Sequence, residues 1–130
     1  MNSFWDLPNG PELSAGPVNV DLQNLDLSLS VGVESGLPIF GEPRWAMCMY
    51  ENGERIAAWD TAIESTLEDA TAALAEMAQD IVMGTYYRLW PECPLGSHPL
   101  SPKVEGKSAV WCCEREQVPK ILIGQLSSLS

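Results

Sequence analysis

The chain has 130 residues, of which 45% are hydrophobic, and 18 acids against 7 bases give it a formal net charge of −11. That length suits one domain burying roughly two-thirds of its unfolded surface, and five Trp with a large aliphatic content exclude disorder over most of it. So few bases exclude sequence-independent binding to nucleic acid or to anionic membranes, and no run approaches the ~18 apolar residues of a membrane span.

Residues 1–6 lack the positive start and apolar core of a secretory signal. The four cysteines are therefore expected in a cytoplasm, as reduced thiols or metal ligands rather than as a disulfide framework. Pro8, Gly10, Pro11, Gly16 and Pro17 predict an irregular N-terminal arm over residues 1–17. Phe4, Trp5 and Leu7 in that arm are suited to folding back or to anchoring on another chain.

A single α+β domain is expected over residues 18–126, with a polar tail at 127–130. Val18, Val20 and Leu22 alternate with polar residues, the phase slips at Gln23 and Asn24, and Leu25, Leu27, Leu29, Val31 and Val33 resume it. Period-two alternation predicts short half-buried antiparallel strands separated by a bulge or turn. Asn52-Gly53 between two apolar runs predicts a hairpin, because both residues accept positive φ. Trp45, Met47 and Met49 on one face of its first strand, with Ala46, Cys48 and Tyr50 on the other, predict an interior strand covered on both sides.

Ser65 and Glu68 have capping-box spacing and open a predicted helix over residues 65–83, with Gly84 as its stop. Leu67, Ala70, Leu74, Met77, Ala78 and Ile81 form its apolar stripe. Four prolines then predict an irregular stretch from Pro91 to Pro102, and residues 108–113 and 120–126 a closing hairpin. The expected fold is thus α+β: an antiparallel sheet of about five to six strands with one main amphipathic helix packed on one face.

The acids are unevenly placed. Residues 56–87 carry Asp60, Glu64, Glu68, Asp69, Glu76 and Asp80 with no Lys or Arg, and residues 1–43 contain no base. Glu68, Asp69, Glu76 and Asp80 fall on the outward side of the predicted helix and are the candidate contacts for a basic surface on a partner protein. Mimicry of DNA is disfavoured by magnitude. Those four charges span about 18 Å of helix axis, whereas duplex DNA presents one about every 1.7 Å; Asp21, Asp26 and Glu34 would have to extend the same surface.

Cys93, His98 and the pair Cys112-Cys113 supply soft donors of the kind zinc prefers. Consecutive strand residues point to opposite faces, so only one of the last two joins such a site; Cys93, His98 and Cys112 are the expected ligands of a possible structural zinc. The segment Trp90-Pro91-Glu92-Cys93-Pro94, His98-Pro99-Leu100 and Trp111-Cys112-Cys113 resembles the C-terminal part of small uncharacterised actinobacterial-type proteins with a Cys-Pro-x-His-x-His-Pro-Leu element before a Trp-x-Cys strand. The likeness covers roughly residues 89–126, implies no known activity, and departs at Gly96, where the first His of that element would fall.

The chain has one histidine and no phosphate loop, dinucleotide fingerprint or His-Glu-x-x-His motif. A non-enzymatic, acidic interaction protein is therefore expected: an inhibitor, immunity-type neutraliser or adaptor. The alternatives are a structural subunit of a phage or bacterial assembly and a small zinc-stabilised domain.

Overall fold

A computed structural model describes residues 9–39, 41–61, 66–115 and 120–129. The elements, in order, are α1 (Gly10–Leu22), β1 (Leu29–Ile39), β2 (Glu42–Glu51), β3 (Glu54–Asp60), α2 (Leu67–Thr85), β4 (Ser101–Glu105), β5 (Ser108–Cys112), β6 (Lys120–Leu122) and a closing 3-10 turn (Leu126–Leu129). The strands form two three-stranded antiparallel sheets, β1-β2-β3 and β4-β5-β6. The α+β class agrees with expectation; the single sheet with one helix does not. The reason lies in α2, whose Ala70, Leu74, Ala75, Met77, Ala78, Ile81 and Val82 are buried along with Thr71 and Gln79. That broad face packs against α1, β2, β4 and β5, so the helix separates two sheets instead of lying across one.

The second departure is α1. Residues 18–22, expected as a strand, are helical, and so are positions 10–17 of the expected arm; Phe4, Trp5 and Leu7 lie outside the described residues. Pro11 sits in the first helical turn, where the missing N–H costs nothing. Val18 and Leu22 are fully buried one helical turn apart while Val20 is 48% exposed, which the alternating pattern disguised. The buried face also carries Ser14 and Asp21, so its apolar periodicity is weak. Ser14 donates its hydroxyl to the Gly10 carbonyl at 2.9 Å. The Asp21 carboxylate accepts from the Trp111 indole N–H at 2.8 Å and from the Gly124 and Leu126 backbone N–H groups at 2.6 and 3.0 Å. One buried carboxylate thus ties the first helix to β5 and the C-terminal turn.

The hairpin forms as expected, with φ of 52° at Asn52 and 82° at Gly53. β2 lies between β1 and β3, and Ala46, Met47, Cys48 and Met49 are all buried. On β1 the expected alternation survives in buried Leu29 and Val31. Asn19 of α1 caps this edge strand, its side-chain amide bonding both the N–H and the C=O of Val31 at 2.7 and 3.0 Å. The helix cap is displaced by one residue from expectation: the Thr66 hydroxyl accepts from the Asp69 N–H at 3.1 Å, Ser65 lies outside the described residues, and the helix continues past Gly84 to Thr85. β5 and β6 form the expected closing pair. β4 runs through the proline-rich stretch; it is an edge strand, where the missing N–H of Pro102 interrupts no inner ladder.

Candidate functional site

The loop from Pro91 to Leu100 is built by backbone bonds between its two arms. Leu100 N–H donates to the Pro91 carbonyl at 2.8 Å, Cys93 N–H to the His98 carbonyl at 2.9 Å, and Gly96 N–H to the Cys93 carbonyl at 3.2 Å. Glu92 and Pro99 form a bridge between those bonds. From α2, the buried Gln79 amide donates to the carbonyls of Trp90, at 3.3 Å, and Leu100. Both ends of the loop are therefore held on the core helix, and Cys93 faces His98 across its neck.

The other strand of the site comes from β5. Trp111 packs edge-on against Trp90, with ring centroids 5.4 Å apart and planes at 72°, joining the two segments just before each delivers its cysteine. Cys113 follows the last residue of β5. The ligand atoms of Cys93, His98 and Cys113 all lie within 4.8 Å of one another. His98 Nε2 is 3.1 Å from Cys113 Sγ. Cys93 and Cys113 are buried, and His98 is half-buried. Gly96 makes room for the imidazole: a Cβ there would stand 3.0 Å from both His98 Cε1 and Nδ1.

The spacing of these three ligand atoms is compatible with a metal ion. Of the residues expected as ligands, Cys93 and His98 fall in this cluster; its third member is Cys113 and not the expected Cys112. The β4-β5-β6 register pairs Cys112 with Ser101 and Lys120, and its Sγ lies 3.5 Å from the Cys113 carbonyl oxygen. Strand alternation correctly separates the two thiols, but the side facing the loop belongs to the residue just past the strand.

The four acids of α2 do not make one uniformly exposed stripe. Glu76 and Asp80 are exposed, whereas Glu68 and Asp69 are half-buried in the first turn. There they favour the positive end of the helix dipole, and Glu68 and Lys107 are among the residues lining a cleft of about 220 Å³. Among the described residues, no hydrogen bond or ion pair engages the carboxylates of Glu76 and Asp80. Several bases are already committed to acids: Arg55 to Glu34 at 3.1 Å, Arg88 to Asp26 at 3.0 Å and Lys120 to Glu105 at 3.1 Å. A hydrogen bond from Arg88, reinforced by its charge, lowers the Asp26 pKa. Glu34 is held low chiefly by the Tyr50 hydroxyl, which donates to it, and in turn burial followed by that same bond raises the Tyr50 pKa. Asp21 is buried. None of Asp21, Asp26 and Glu34 is thus a free surface charge that extends the α2 acids into a phosphate-like array.

Among the described residues no helix is long and apolar enough to cross a membrane. Compared with known proteins, the chain matches no family model, no curated protein and no solved structure. Fold and site together define a small α+β protein with an acidic surface and an inward-facing Cys/His cluster.

Proposed function

We propose that this chain is a small non-enzymatic binding protein that covers a basic surface on a protein partner, in the manner of an inhibitor, neutraliser or adaptor. The observation that carries the proposal is the unbalanced surface charge: −11 overall, with Arg55, Arg88 and Lys120 drawn into ion pairs and Glu76 and Asp80 outward on α2. Complementary charge of this kind accelerates encounter and makes association salt-sensitive. A role in binding is also favoured by the burial of both thiols that lie near the imidazole, Cys93 and Cys113, because a nucleophile must reach its substrate.

The proposed contact set is centred on Glu76 and Asp80, which are exposed, with the half-buried Glu68 and Asp69 contributing from its margin. The test is co-purification from native extract over a salt series, comparing the wild-type chain with Glu76→Gln/Asp80→Asn. A partner retained at low salt, released as salt rises, and lost by the double variant supports the proposal. Associations that survive both neutralisation and high salt overturn it. A concentration-dependent homo-oligomer with no basic partner would instead indicate an assembly subunit.

A further inference from the structure

We propose that Cys93, His98 and Cys113 form a binding site for a soft divalent metal ion of the zinc class. The inference is independent of the partner. It starts from donor chemistry: two thiols and an imidazole favour zinc over hard cations such as magnesium and calcium, which take oxygen ligands.

The geometry is that of a site drawn together from separate elements. Cys113 comes from the end of a sheet strand, and Cys93 and His98 from a loop held on α2, yet all three ligand atoms lie within 4.8 Å. Zinc–sulfur and zinc–nitrogen bonds of about 2.3 and 2.0–2.1 Å at tetrahedral angles place two sulfurs about 3.8 Å apart and a sulfur and nitrogen about 3.6 Å apart. The 3.1 Å between His98 Nε2 and Cys113 Sγ therefore has to open by only about half an ångström. The two pairs that include Cys93 lie within 4.8 Å and so have to close by about 1 Å at most. The main chain of the loop is meanwhile fixed by its own cross-bonds and by Gln79.

Two other uses of the cluster fit less well. A Cys–His nucleophile needs an exposed sulfur, and Cys113 is 0% exposed while Cys93 is 2% exposed. Inert buried thiols do not require a polar imidazole to be turned inward against sulfur, nor a glycine placed so that the ring can lie over the loop. Tetrahedral zinc takes one more donor. No fourth Cys, His, Asp or Glu joins the cluster among the described residues, so we assign that position to water.

The test uses the full reduced chain, freed of metal with EDTA and then titrated separately with zinc and with cobalt(II). The expected results are one zinc per chain by native mass spectrometry and a melting temperature that rises with zinc concentration. Cobalt(II) should give the intense visible bands of a tetrahedral site together with thiolate-to-metal charge transfer. His98→Gln, on the half-buried side of the site, should weaken zinc binding at least tenfold, and Cys113→Ser should abolish the charge-transfer band contributed by its sulfur. Cys112→Ser should leave the stoichiometry and spectrum intact. A wild-type chain that takes up no zinc, or an octahedral cobalt spectrum, overturns the proposal. So does equal affinity in His98→Gln, a result readable even if the buried Cys113 variant fails to fold. Loss of metal in a folded Cys112→Ser chain overturns the assignment of Cys113.

Discussion

Asp21→Asn probes the junction on which the two ends of the chain depend. The native carboxylate satisfies three N–H donors: two reach one oxygen, from Trp111 and Gly124, and the third reaches the other oxygen from Leu126. An amide preserves one acceptor oxygen but turns an NH₂ toward the remaining donor. At least one buried N–H then loses its partner, at a cost of about 1–3 kcal/mol, and the surviving bonds lose the strength conferred by a charged acceptor. The combined loss is about 2–3 kcal/mol, a large share of the roughly 5–15 kcal/mol that holds a typical domain folded. In a chain of this length it corresponds to a fall in melting temperature of roughly 6–15 °C. Urea unfolding of the reduced protein, followed by tryptophan fluorescence and by circular dichroism, measures it directly. A loss below about 0.5 kcal/mol, the size of an ordinary surface substitution, would refute the three-bond account of Asp21.

Gly96→Ala should weaken zinc binding about 10–100-fold, as is usual for changes behind a ligand, because its Cβ displaces the His98 ring; isothermal titration with zinc checks this, and an unaltered affinity would mean the ring lies elsewhere. Because the Glu34 pKa is depressed in the fold, its contribution is present above its unfolded pKa and is lost as pH falls through the lower folded value. The Tyr50 pKa is raised, so its contribution is complete below its unfolded pKa and declines as pH climbs from there toward the folded value. Tyr50→Phe should accordingly flatten the urea midpoint at both acid and alkaline ends, and an unchanged pH profile would count against the Glu34–Tyr50 bond. Gly53→Ala should cost about 1–2 kcal/mol, since a side chain is strained at φ of 82°. Gly16→Ala, within α1 and with open space around its Cβ, should gain about 0.5–1 kcal/mol; thermal melts of the two variants must move in opposite directions.

What could be read from residues alone was mostly local. The Asn52-Gly53 turn, the two-sided burial of β2 and the buried stripe of α2 follow from φ preferences and side-chain periodicity, which operate over a few residues. The surplus of acids was legible by counting, and alternation was enough to show that Cys112 and Cys113 point apart. Long-range pairing decided the rest. α1 was hidden because its buried face includes Asp21, a residue that becomes tolerable in the interior only once Trp111, Gly124 and Leu126 arrive from the far end of the chain. β4 was hidden because Pro102 reads as a breaker until the strand is known to occupy an edge. The third member of the Cys/His cluster depended on the register between β4 and β5 and on the docking of Trp111 against Trp90. No sequence spacing encodes which side of a strand will meet a loop; packing against α2 settles it.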